Sequence, residues 1–167
     1  MNTPGTRDTK GAAQRPRLPL LDRLLNAHPD APETLPSAAD TLEILRTAVR
    51  RDLEALMNSR RRRRPLPSML AELPSSVLNY GIPDPTSGAY ALAEVRSALV
   101  RDIEMTIRRF EPRLTKVSVT LLGDDVELGS VLRMRIDAEL RAPSATEPVT
   151  FETLLEPVTR EVTVREG

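Results

Sequence analysis

A chain of 167 residues suits one domain with tails, and a formal net charge of +0 leaves no global field to steer it toward nucleic acid or membrane. The absence of cysteine excludes disulfides, a thiol nucleophile and thiolate metal sites. Aromatic residues make up only 2 %, so a core must be built from Leu, Val, Ile and Ala.

Residues 1–17 are polar and carry Pro4, Gly5, Gly11 and Pro16, which predicts a disordered tail. No apolar leader opens the chain and no apolar run approaches ~20 residues, so it reads as soluble and unsecreted. Leu20, Leu21, Leu24 and Leu25 then share one side of a short helix. Such a helix cannot stand alone in water. It docks either on its own domain or on another protein. Pro29, Pro32 and Pro36 make the rest of residues 18–36 a linker. His28, the only histidine, lies in that linker and suggests neither a metal cluster nor a triad.

The main domain, residues 37–167, opens with a long helix from near Ser37 or Asp40. Asp40 and Glu43 have capping-box spacing. Leu42, Leu45, Val49, Leu53 and Leu56 form its apolar stripe, with Arg46, Arg50, Arg51 and Glu54 facing elsewhere. The helix runs into Arg60, Arg61, Arg62, Arg63 and Arg64, closed by Pro65 and Pro67. Sequence-specific nucleic-acid binding needs stacking aromatics or a recognition helix beside such a run, and no aromatic lies near it. A solvated basic knob at a helix C-terminus or a surface for an acidic partner fits as well.

Between the helices, Ser75 is placed to cap a turn that buries Val77 and Leu78, and Gly81 to end it. A second long helix is expected over residues 89–110, with Leu92, Val95, Leu99, Ile103, Ile107 and Phe110 as its stripe. Glu104 and Arg108 form an i,i+4 pair in the better orientation. Pro112 removes a backbone donor and drives Glu111 from the α region, so the helix ends near Phe110. Glu111 therefore sits where the helix dipole disfavours a carboxylate, with Arg113 two residues on. One reading is a local ion pair that shapes the corner. The other is an exposed acid/base pair held on a rigid turn for a partner.

Beyond Pro112 the period changes from 3.6 to 2. Val117, Val119 and Leu121 alternate with polar residues. Leu132, Met134, Ile136, Ala138 and Leu140 alternate with Arg133, Arg135, Asp137, Glu139 and Arg141, the clearest strand of the chain. Residues 142–147 read as a loop. Val149, Phe151 and Thr153 mark a third strand, and residues 158–164 a fourth. The fold class is α+β: two long amphipathic helices on a small, mainly antiparallel sheet of three to four strands. No Walker loop or GxGxxG is present. Glu104 and Glu111, roughly 10 Å apart by helical rise, stand at the wide end for a glycosidase pair, with no sugar-stacking aromatics nearby.

Three stretches, taken in order, resemble a known family. Arg50-Arg51-Asp52-Leu53-Glu54-Ala55-Leu56-Met57-Asn58-Ser59-Arg60-Arg61, Ser76-Val77-Leu78-Asn79-Tyr80-Gly81-Ile82-Pro83-Asp84 and Phe110-Glu111-Pro112-Arg113-Leu114 are similar to motifs of the TssE family of type VI secretion baseplate proteins. Leu20-Leu21-Asp22-Arg23-Leu24 looks like that family's short leading helix. The similarity spans roughly residues 20–165. Met57 stands where the family commonly has Leu, and the Arg run is long.

The resemblance implies a non-enzymatic, cofactor-free wedge protein, cytoplasmic and assembled at the inner face of the inner membrane. It would join the platform proteins TssF, TssG and TssK to the contractile sheath of TssB and TssC. It further implies that Glu111, Pro112 and Arg113 meet the sheath, whose arms would add as strands at an unprotected sheet edge. Leu20, Leu21, Leu24 and Leu25 would anchor to TssF and TssG. Peptidoglycan hydrolysis through Glu104 or Glu111 is the alternative function, followed by nucleic-acid binding through the Arg run.

Overall fold

The computed structural model describes residues 20–24, 37–62, 67, 69–84, 92–123, 131–142, 146–156, 159 and 161–167. The expectations for residues 1–17, His28, Leu25, Arg63 and Arg64 and most of the linker lie outside these residues.

Helix α1 spans Leu20–Leu24 and α2 spans Ala38–Asn58. The capping box of α2 is made by Ser37 and Asp40 rather than by Asp40 and Glu43. The Ser37 hydroxyl accepts the Asp40 N–H, and the Asp40 carboxylate accepts the Ser37 N–H, each at 3.1 Å. Two donors that the helix cannot satisfy internally are thereby paired. Val49, Leu53 and Leu56 are buried as the stripe predicts, joined by Ala48 and Met57, while Leu42 and Leu45 are half-buried.

The connector departs from expectation. Its two 3-10 turns, Leu73–Ser75 and Val77–Asn79, bury no residue, and Val77 is 86 % exposed. Three residues are too few to present an apolar face. Polar atoms hold the turn instead: the Ser76 hydroxyl accepts the Leu78 N–H and donates to the Leu73 carbonyl, and the Asn79 amide donates to the Pro74 carbonyl. Ser76, not Ser75, is the capping residue of the turn at Val77–Asn79. What the connector buries is Ile82, which pairs with Arg60 as an isolated parallel bridge. Gly81 makes that approach possible. Its φ is +103°, and a Cβ there would lie 2.4 Å from the Ser59 carbonyl oxygen.

Helix α3 spans Ala93–Phe110, starting later than its apolar pattern suggests. Leu92 precedes it in an extended conformation and is exposed, so it drops out of the stripe, whereas Leu99, Ile103 and Ile107 are buried. Glu111 ends the helix, and the Leu114 N–H returns to the Glu111 carbonyl at 3.1 Å.

Four strands follow as an antiparallel meander: β1 (Leu114–Leu122), β2 (Leu132–Arg141), β3 (Thr146–Leu155) and β4 (Val162–Glu166). Strand β2 alternates as the sequence requires. A bulge between Thr115 and Ser118, with Lys116 at φ +50°, lets both Leu114 and Val117 face the core. Strand β3 begins earlier than expected and contains Pro148. Strand β4 pairs only with Phe151–Leu155, so β3 has no neighbour on that side at Pro148, where a missing N–H is harmless. Helix α2 packs on β4 and α3 on β1, and one apolar core fills the space between helices and sheet. Phe151 is its largest fully buried side chain, worth roughly 1.5–3 kcal/mol by transfer alone.

Both sheet edges carry helix side chains. On β4 the Asn58 carboxamide accepts the Val162 N–H and donates to the Val162 carbonyl, each at 2.9 Å, and Arg50 donates to the Val164 carbonyl. On β1 Arg108 donates to the Val117 carbonyl at 2.6 Å and Glu104 accepts the Val119 N–H at 3.3 Å. Glu104 and Arg108 also form their expected ion pair at 2.7 Å. An unprotected edge is therefore not what these strands offer at Val117, Val119, Val162 and Val164.

Candidate functional site

The helix–strand corner is the place where charge, burial and chain geometry coincide. Pro112 stops α3 and turns the chain, which brings the Glu111 and Arg113 side chains to the same side. Glu111 is 4 % exposed. Its Oε1 accepts from Arg113 Nε at 2.6 Å and from the Arg113 backbone N–H at 3.3 Å, and its Oε2 accepts from Arg113 Nη2. A guanidinium is the side chain suited to this, because its planar fork meets both carboxylate oxygens.

Arg113 has a second partner. Its Nη2 donates to Asp52 Oδ2, in the middle of α2, at 2.6 Å. The other Asp52 oxygen accepts from Arg51 Nε at 3.3 Å, and Arg51 Nη1 donates to Asp22 of α1 at 2.6 Å. Charges thus alternate from the corner to the leading helix: Glu111, Arg113, Asp52, Arg51, Asp22. The carboxylates of Glu111 and Asp52 hold the Arg113 guanidinium well above its ordinary range, and Asp22 raises that of Arg51. Tyr80 of the connector closes the cluster. Its ring meets Phe110 edge to face at 5.3 Å. Burial first, then the Asp52 and Glu111 charges, raise its hydroxyl pKa.

This arrangement is a clamp of paired charges. Each carboxylate is matched by a guanidinium, and no group of three or more His, Cys, Asp or Glu among the described residues could hold a metal ion. Glu104 is equally committed, to Arg108 and the Val119 N–H. Of the corner residues, Glu111 is buried against Arg113, Pro112 is exposed and Arg113 is about a quarter exposed. The local ion pair that the sequence allowed is present, and what the corner offers outward is Pro112 and part of Arg113.

The other predicted residues divide differently. Leu20, Leu21 and Leu24 are exposed, Leu20 and Leu24 by more than two thirds, while α1 touches the domain through Asp22. Arg60 donates to the Met57 carbonyl at 2.6 Å and Arg61 pairs with Asp102 at 3.5 Å, so both are drawn back to the fold, whereas Arg62 is exposed.

Sequence reasoning missed Asp52 as the partner that Arg113 shares with Glu111. A signal was available. Asp52 lies three residues after Val49 and four before Leu56, at the margin of the apolar stripe, and an acid there needs a cation.

The baseplate wedge protein gp25 family matches residues 43–145, a segment that contains Asp52, Tyr80, Glu111 and Arg113. Neither the curated proteins nor the solved structures gave a match. No helix among the described residues is long and apolar enough to cross a membrane. Since the matched segment covers more than half of the chain and holds the whole corner, the chain belongs to the baseplate wedge protein gp25 family.

Proposed function

We propose that this chain is a structural, non-enzymatic baseplate subunit of a type VI secretion system, joining a platform of TssF, TssG and TssK to the contractile TssB/TssC sheath. One observation carries the reading. The three stretches that resemble the TssE family meet at one corner: Asp52 from the first pairs with Arg113 from the third, which also holds Glu111, and Tyr80 from the second packs edge to face on Phe110 of the third. A rigid corner suits a part that must fix the starting position of a sheath. In this reading Pro112 and Arg113 face the sheath, and the exposed Leu20, Leu21 and Leu24 face TssF and TssG on the cytoplasmic side of the inner membrane. Sheath arms that add a strand at β1 must first displace Glu104 and Arg108 from Val119 and Val117.

Co-purification and secretion test this. Leu20→Asp with Leu24→Asp is expected to lose TssF and TssG while circular dichroism stays unchanged. The charge swap Glu111→Arg with Arg113→Glu is expected to keep those partners and lose sheath assembly. Folded variants with intact secretion in both cases sink the proposal. Clearing of cell-wall material by the purified protein would instead revive hydrolysis, which the committed carboxylates of Glu104 and Glu111 disfavour.

A further inference from the structure

The sheet has a second face, turned away from the helices, with its own charge pattern. Cross-strand register places Leu122, Arg133, Leu154 and Thr163 in one row, and Thr120, Arg135, Glu152 and Arg165 in the next. At this end of the face three arginines surround one glutamate. Arg133, Arg135 and Arg165 make no ion pair or side-chain hydrogen bond among the described residues, although Glu152 lies directly across from Arg135 and Arg165 and diagonal to Arg133. At the other end, Glu139 is matched by Lys116 and Asp137 accepts the Thr150 hydroxyl. Among the described residues, and counting Glu152 at this end and the exposed Arg141 at the other, the face therefore carries its excess of positive charge at the end of Arg133, Arg135 and Arg165.

That end is also concave and partly apolar. A cavity of about 650 Å³ is bordered by Arg133, Arg165 and Glu152, with Leu122, Leu154 and Val131 alongside. Leu122 and Leu154 are half-buried, and Val131 is 42 % exposed.

From these positions we propose that the open sheet face around Arg133, Arg135 and Arg165 docks an extended acidic segment of a partner protein, carrying at least one Leu- or Val-sized residue for the cavity. Arg133 and Arg135 are two residues apart on one strand, roughly 7 Å along it, the same repeat at which an extended peptide presents side chains to one side. Guanidinium groups pair bidentately with carboxylates. A nucleic acid is the poorer fit: no aromatic side chain lies in these rows to stack a base, and Glu152 would face its phosphates. The inference rests on this face alone and does not depend on the baseplate reading.

The test uses the full chain and a fluorescein-labelled peptide carrying Glu and Leu at alternate positions between serines, followed by anisotropy. The expected result is saturable binding that weakens with salt, falls at least tenfold in Arg133→Glu with Arg165→Glu, and is unchanged in Arg109→Glu, an exposed arginine of α3. Should the double variant not fold by circular dichroism, Leu154→Asp replaces it, with the same tenfold loss expected. No binding, equal binding of the peptide with Gln for Glu, or equal loss in Arg109→Glu overturns the proposal. So does tighter binding of labelled oligothymidine, which would make the face a nucleic-acid surface. A gain in affinity on neutralising Asp124, Asp125 and Glu127 overturns it too, because the chain's own acidic segment would then be the occupant.

Discussion

The Arg113 guanidinium lies 2.6 Å from the Asp52 carboxylate, across 61 residues of chain. It fastens the start of β1 to the middle of α2, while its other edge holds Glu111. The two contacts differ in worth because Glu111 is buried and Asp52 is about a third exposed. Arg113→Ala strands a buried carboxylate and is expected to cost about 3 kcal/mol. Asp52→Ala removes a partly screened partner and is expected to cost about 1 kcal/mol. Urea unfolding of both variants checks the order; equal losses would mean that Arg113 does not hold Glu111.

Gly81 is expected to tolerate no side chain. Alanine would meet the Ser59 carbonyl and would have to adopt positive φ. Both effects act on the stretch that pairs Arg60 with Ile82. Gly81→Ala should lower stability by about 2 kcal/mol or more. An unchanged urea midpoint would show that the connector does not pass so close to α2.

Asn58 replaces a neighbouring strand at Val162. Asn58→Ala should cost about 1–2 kcal/mol through the two lost bonds and speed hydrogen exchange at the Val162 amide. Asn58→Asp keeps the acceptor for that amide and loses the donor to the carbonyl, so protection should survive in part. Equal exchange in all three proteins would remove Asn58 from the edge.

Tyr80 supplies the pH dependence. Its folded pKa is raised above the ordinary 10.0, so the folded chain keeps the proton longer than the unfolded chain. The associated stability is fully present below the ordinary value and is lost as pH rises through the raised one. In a Tyr90→Phe background Tyr80 is the only tyrosine, and alkaline absorbance titration reads it alone. Asp52→Asn should shift the midpoint downward. A midpoint already at the ordinary value in the Tyr90→Phe protein would contradict the burial of Tyr80.

The sequence determined what short-range periodicity can carry. Pro112 marks the change from helical to alternating pattern, the strict alternation from Leu132 to Arg141 is β2, and the stripe from Val49 to Leu56 is the buried side of α2. Burial at periods of 3.6 and 2 leaves a trace in neighbouring residues, so these elements were legible, and the quoted motifs carried the family. The connector misled because Val77 and Leu78 are apolar, yet their turn is too short to bury a face.

Only the tertiary structure decided which distant groups meet. Arg113 reaches Asp52, Asn58 reaches Val162, Glu104 reaches Val119, and Arg133, Arg135 and Arg165 share one open face. Each pairing depends on how α2 and α3 lie on the sheet and on the strand register. A directed contact formed across tens of residues has no local period to announce it.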